Sequence, residues 1–166
     1  MTPRVVFSIR KQTMHKIRAM KVHNHRLNPK DTRIRDPDKT TFNRTLYSKH
    51  DLPLNEAIKL EVSERHNTKR KIRSDAIVAL EAVISASPSY FRPWDENDIG
   101  NYDPNRLKAW VKCNMKALRG KFGDNLIDVT LHLDEATPHI HAVIVPVDTT
   151  GDKNGNLSRF NAKRAH

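Results

Sequence analysis

Polar and apolar positions alternate most regularly toward the C-terminal end of the chain. From Leu126 to Asp134, Ile127, Val129, Leu131 and Leu133 share one parity, and Asp128, Thr130, His132 and Asp134 the other. From His139 to Val147, Ile140, Ala142 and Ile144 oppose His139, His141, Val143 and Val145. A period of two predicts strands with one face on a core. The short EATP link makes these two strands antiparallel neighbours. Just upstream the period changes to 3.6, with Leu107, Trp110, Val111, Met115, Leu118 and Phe122 on one stripe of a helix. Asp103 is its predicted N-cap, Pro104 its first helical residue, and Gly120 or Gly123 its stop.

Earlier segments are shorter. Val5 to Ile9 predicts a strand, and Lys11 to about Lys21 a helix with Met14, Ile17, Arg18 and Met20 near one side. Pro53 can open a helix running to about His66, with Leu54, Ala57, Ile58, Leu60 and Val62 as its apolar side. Asp75 to Ser85, DAIVALEAVIS, is mostly apolar and reads as a central strand buried on both faces. SPSYFRPW and the late TTGDKNGN read as turns. Val22 to Leu46 is polar, without apolar periodicity, and predicts a long loop; loops of that length in a compact domain tend to be functional. The order of elements predicts an α+β domain with an antiparallel β-sheet.

Composition narrows the function. The 166 residues fit one domain. With 30 Lys+Arg against 19 Asp+Glu, the formal net charge is +11, an excess that favours polyanionic partners through phosphate contacts and counterion release. No apolar run approaches the ~18–20 residues that span a bilayer, and MTPRVVFSIRKQ lacks a signal-peptide core. Cys113, the single cysteine, excludes an internal disulfide and a cysteine-rich zinc site. These features predict a soluble cytoplasmic protein without membrane contact.

The candidate chemistry lies in the hairpin. His139 and His141 fall on one strand face, roughly 7 Å apart at the backbone, and His132 is on the polar face of the partner strand. Three imidazoles around one ion leave positions open for water or substrate, the arrangement of a catalytic metal site. Asp134 and Glu135 lie beside them; a carboxylate accepting the second N–H of a metal-bound imidazole fixes its tautomer. A lone His-x-His on a strand is usually surface polarity, and it is the third histidine with the adjacent acids that points to metal.

These residues also resemble a known signature. His132-Leu-Asp134-Glu135-Ala-Thr-Pro138-His139-Ile-His141 is similar to the HxDExxPHxH motif of the MobV (Mob/Pre) plasmid mobilisation relaxases, a group of HUH endonucleases. His23-Asn-His25-Arg26 resembles that family's HNxR motif, Asp36-Pro37 with Asn43 and Leu46 its D/NP…NxxL stretch, and Arg73-x-Asp75-Ala76 its RxDA. The matches run in family order over about residues 20 to 160.

The resemblance implies a ferredoxin-like, palm-type antiparallel sheet with helices packed on one face. It implies metal-dependent nicking and rejoining of one strand at a plasmid origin of transfer, through a covalent 5′-phosphate protein–DNA intermediate. His132, His139 and His141 would hold Mn²⁺ or Mg²⁺, with Asp134 supporting them. His23 would be the nucleophile, with His25 and Tyr47 as alternatives. Arg26 would hold the scissile phosphate, and Glu135 would orient a ligand or accept a proton. Asn43 reads as a loop-forming cap and, with Arg26, Lys69, Arg70, Lys71 and Arg73, is among the candidate DNA contacts. Trp94 and Tyr90 are candidates for base stacking, and Trp110 and Phe122 for the core. Family members are longer, so residues 1–166 would be the N-terminal catalytic domain of a protein whose remainder serves dimerisation or coupling. Two other readings are a rolling-circle replication initiator, which needs a tyrosine after the histidine strand, and a basic DNA-binding or repressor domain with a structural metal.

Overall fold

The computed structural model describes residues 4–28, 30–65, 73–148 and 159–160. Five strands form one sheet in the order β1-β3-β5-β4-β2, every neighbouring pair antiparallel. They are β1 (Val5–Thr13), β2 (Arg44–Ser48), β3 (Ile77–Ala86), β4 (Leu126–His132) and β5 (His139–Ile144). Between them come the helices α1 (Met14–Asn24), α2 (Leu54–Arg65), the single turn α3 (Pro88–Phe91) and α4 (Pro104–Phe122). A separate two-residue ladder joins Val147–Asp148 to Arg159–Phe160. Lys69, Arg70, Lys71 and the TTGDKNGN segment lie outside the described residues.

The α+β class and the antiparallel sheet hold, but the helices lie on both faces rather than one. On one face, Leu80, Ala82 and Ile84 of β3, Val129 and Leu131 of β4 and Ile140 and Ala142 of β5 pack with Phe91, Trp110 and Leu118 of α3 and α4. On the other, Val78, Ala79, Ile127 and Val143 pack with Ile17 and Met20 of α1 and with Leu54, Ala57, Ile58 and Val62 of α2. A five-stranded sheet that is apolar on both sides of its centre needs two layers to cover it.

Three boundaries differ from the sequence expectation. Strand β1 continues to Thr13, so α1 begins at Met14 and ends at Asn24. Arg10, Lys11 and Gln12 look helical by composition, but their backbone pairs with Glu81, Leu80 and Ala79 of β3, and an edge strand tolerates polar side chains. The later helix end carries His23 and Asn24 out of the expected loop and onto the last turn of α1. Secondly, Ile127 does not share a face with Val129 and Leu131. Leu126 pairs with Ile144 and Asp128 with Val143, so Ile127 is the extra residue of a bulge and joins the α1/α2 core. Thirdly, the segment before β2 is not featureless: Pro37–Phe42 forms a 3₁₀ helix.

Helix α4 follows its sequence signals closely. Asp103 accepts from the backbone N–H groups of Asn105 and Arg106, Pro104 opens the helix, and Gly123 ends it at φ 48°.

Candidate active site

The site sits on the α1/α2 face, where β4 and β5 meet. His132 pairs directly with His139, and His141 pairs with Thr130 of β4 and Val83 of β3. From the last turn of α1, His23 reaches over them; its ring centroid is 5.1 Å from that of His132 and 5.0 Å from that of His141. One nitrogen from each of His23, His132, His139 and His141 lies within 4.8 Å of the others.

The second nitrogen of each strand histidine is tied to an acceptor, which settles the tautomers. His132 Nε2–H donates to the Asn24 carbonyl at 2.8 Å, His139 Nδ1–H to the Thr137 carbonyl at 2.9 Å, and His141 Nδ1–H to Glu81 Oε1 at 2.8 Å. The remaining lone pairs, on His132 Nδ1, His139 Nε2 and His141 Nε2, face one another. His141 Nε2 is buried without a hydrogen-bond partner, and His132 Nδ1 stands 3.3 Å from His139 Nε2. Two lone pairs held that close repel, and a cation between them removes the conflict. Burial, followed by the neighbouring His141, pushes the His132 pKa down to about 2; burial, followed by His139, does the same to His141. Both rings are therefore neutral at pH 7, as metal ligation requires. Imidazole nitrogens with one carboxylate nearby are a donor set suited to a divalent transition-metal ion.

His23 is held differently. Its Nδ1 is 3.0 Å from both Asp31 Oδ2 and Arg26 Nη1. A ring nitrogen cannot donate to one and accept from the other at once. Arg26 Nη1 has a second acceptor in the His23 carbonyl at 3.3 Å, whereas Asp31 can only accept, so the ring proton belongs on Nδ1 toward Asp31. Nε2 then presents its lone pair to the cluster, 3.7 Å from Glu135 Oε1. Asp31 is itself gripped at both oxygens by Arg33, Nε to Oδ1 at 2.7 Å and Nη2 to Oδ2 at 2.6 Å, and its pKa lies well below the ordinary carboxylate range, chiefly through that bond. Burial holds the His23 pKa below its usual value, against the pull of Asp31.

Arg26 was expected to face a phosphate. Its guanidinium is instead buried among acids: Nε and Nη2 bond Asp134 at 2.9 and 2.6 Å, and Nη2 also bonds Glu135 at 2.6 Å. Asp134 therefore supports Arg26 and accepts from Thr40 Oγ1 at 3.0 Å, with no bond to a histidine among the described residues. Burial raises the Asp134 pKa most, but the Arg26 bond, the Arg26 charge and the neighbouring Asn43 and Thr40 donors together hold the group below its usual value. These bonds keep the Arg26 backbone at φ 51°, a conformation rare outside glycine. Glu135 Oε1 lies 3.8 Å from both His132 Nδ1 and His139 Nε2.

The long loop serves as a clamp. Arg35 and Asp36 N–H donate to the Asp134 carbonyl, and Asn43 Oδ1 accepts from Leu133 N–H at 2.7 Å. Asn43 thus braces the segment between the histidine strands instead of projecting to a ligand. His25 leaves the cluster and approaches Asp128 to 3.9 Å. Tyr47, Tyr90 and Tyr102 all pack against the α4-side core, on the opposite sheet face from the histidines. Arg73 is exposed and paired with Asp75, and Trp94 is exposed with its indole N–H on Asp98.

Two partners escaped the sequence reading. Glu81, only 4 % exposed, accepts from both His141 and Gln12. An acid in the middle of the apolar run IVALEAVIS was a legible signal, since an ionisable group in a buried strand needs a specific partner. Asp31 carried no such signal, being one of several acids in a polar stretch.

The family described as plasmid recombination enzyme (Mob_Pre) matches residues 1–165. The chain belongs to that family. Among Mob_Pre relatives, the plasmid recombination enzyme type 3 of Staphylococcus aureus is 31% identical over 117 residues, covering 70% of this chain and 26% of its own length. A plasmid recombination enzyme of Bacillus thuringiensis is 26% identical over 144 residues, covering 86% of this chain and 30% of its own length. The chain thus spans between a quarter and a third of these relatives. In fold it is similar to the MobM relaxase domain bound to plasmid pMV158 oriT DNA, crystallised with Mn: TM-score 0.74, 24% identity, covering 93% of this chain and 74% of that one.

Proposed function

We propose that this Mob_Pre chain is a relaxase domain that nicks and rejoins one strand of plasmid DNA at an origin of transfer, with His23 as the nucleophile. The observation that carries this reading is the convergence of three oriented imidazole lone pairs beside a fourth imidazole whose tautomer a carboxylate selects. His132, His139 and His141 would hold the divalent ion, Mn²⁺ by analogy with the MobM structure. A bound divalent ion would supply Lewis-acid polarisation of the phosphoryl oxygens.

The chain's own residues supply the rest. His23 Nε2 attacks phosphorus, the Nε2–P bond forms, and the bond to the 3′ oxygen breaks, with that oxygen taking a proton from water. The imidazole becomes cationic on attack, and Asp31 at Nδ1–H stabilises that charge. Asp134 and Glu135 hold Arg26, which fixes the turn that ends α1 and hence the angle of the His23 ring. No described tyrosine is near enough to compete. In this reading residues 1–166 are one catalytic domain, and dimerisation or coupling belongs to the remainder of the longer relatives.

The test is incubation with single-stranded oligonucleotides spanning candidate origins. A covalent adduct should form with Mn²⁺, vanish with EDTA, be absent in His23→Ala, and show the acid lability of a phosphoramidate. A retarded but uncut oligonucleotide would favour the DNA-binding or repressor reading. A second reading, His23 as a fourth metal ligand, rests on all four nitrogens lying within 4.8 Å of one another. Calorimetry of Mn²⁺ binding separates the two: His23→Ala should leave affinity within a few-fold if His23 attacks, and weaken it about a hundredfold if it ligates.

A further inference from the structure

A second concavity opens on the same sheet face as the histidines, toward the edge strand β2. Its volume is about 650 Å³, within the range of small-ligand pockets. Asp128 of β4 lies in its floor with 5% of the side chain exposed, and Oδ1 accepts from Thr130 Oγ1 at 3.0 Å. His25, the residue that ends α1, forms a wall; its Nε2 is buried, has no hydrogen-bond partner, and stops 3.9 Å from Asp128 Oδ1. Leu27 and Leu52 line the same space and are 56% and 42% exposed. Burial raises the Asp128 pKa above its ordinary value.

These are mismatched polar groups under an apolar rim. The buried His25 ring nitrogen stops short of Asp128 and forgoes a bond, while Asp128 Oδ1 has the Thr130 hydroxyl as its donor. Apolar walls over a polar floor are what a pocket for an unstacked base requires. The position also suits DNA: Asp128, Thr130 and His132 alternate along β4, which puts the floor about 13 Å from His132 at ~3.3 Å per residue. His25 follows His23 by two residues, so a strand with its phosphate at His23 passes the mouth.

We propose that this pocket binds one nucleobase of the strand flanking the scissile phosphate, a base bearing an exocyclic amino group, with Asp128 as the acceptor. Acidic side chains accept from base amino groups. Thymine has none, and its ring N–H is recessed between two carbonyl oxygens that repel a carboxylate. The inference rests on the DNA-processing reading above.

Fluorescence anisotropy with labelled (dA)12, (dC)12 and (dT)12 at fixed salt tests it, each variant being compared with the unmodified protein on the same oligonucleotide so that intrinsic stacking cancels. Asp128→Ala should weaken (dA)12 and (dC)12 about fivefold or more and leave (dT)12 within twofold. Equal losses on all three, or none, overturn the pocket while the relaxase reading stands. If none of the oligonucleotides binds the unmodified protein, both readings fall. Should Asp128→Ala not fold, Leu27→Ala/Leu52→Ala on the rim decides: at least a threefold loss on (dA)12 and (dC)12 is expected, and unchanged affinity overturns the proposal.

Discussion

Asp31 is the residue on which the proposed His23 chemistry turns. It selects which imidazole nitrogen carries the proton and would face the cation formed on attack. Asp31→Asn keeps the shape and loses the charge-assisted bond, worth about 1.5–3 kcal/mol. Adduct formation should therefore slow roughly tenfold to a hundredfold while oligonucleotide affinity stays within twofold, as quenched-flow and anisotropy would show. Burial sets the pH behaviour of the metal-free protein. His132 and His141 titrate near 6.5 when unfolded and at about 2 when folded. The unfolded chain takes up those protons first, so stability is full above pH 6.5 and falls as pH drops below it. The expected slope is about 1 kcal/mol per pH unit for each ring, measurable by urea unfolding between pH 7.5 and 5.5, and Mn²⁺ should steepen it. The histidine pattern was legible in the sequence because strand parity dictates direction. The Arg26–Asp134 pairing was not: it joins residues 108 apart across a loop without periodicity.

Elements divide the labour by sheet face. Helices α1 and α2 cover the face that carries the histidines, and α3 and α4 cover the other. Trp110, 6% exposed and edge-on to Phe91 at 5.1 Å, belongs wholly to the second layer. Trp110→Ala should cost about 3–5 kcal/mol of stability yet leave Mn²⁺ affinity unchanged below the new melting midpoint; scanning calorimetry and isothermal titration would check the two halves. Helix α4 was readable because its cap, period and stop agree. The β1–α1 boundary was not, because polar side chains on an edge strand imitate one side of a helix, and only the ladder with β3 reveals the extension. The two-sided helix layer was implicit in the double-faced apolar character of β3, but the resemblance suggested one.

On the scale of the whole molecule, charge governs encounter. In the proposed function, a net charge of +11 should make binding to single strands salt-sensitive, with a slope near −0.7 per phosphate neutralised. Lys69, Arg70 and Lys71 contribute three of the 30 Lys+Arg charges, within a run of basic residues. Replacing all three by Ala should flatten the plot of log K against log[salt] by roughly 2 and leave the single-turnover rate at saturating oligonucleotide unaltered. No helix among the described residues is long and apolar enough to cross a membrane.

The bulge at Ile127 also has an evolutionary meaning. Upstream of it, one residue can be gained or lost from β4 and the irregularity will absorb the change, at the expense of packing beneath α1 and α2. Downstream, between Val129 and Leu131, the same loss would rotate His132 through the sheet to the tryptophan side. Length variation in this strand is therefore tolerable only ahead of Asp128, and the short regular run from there to His132 acts as the ruler for the site.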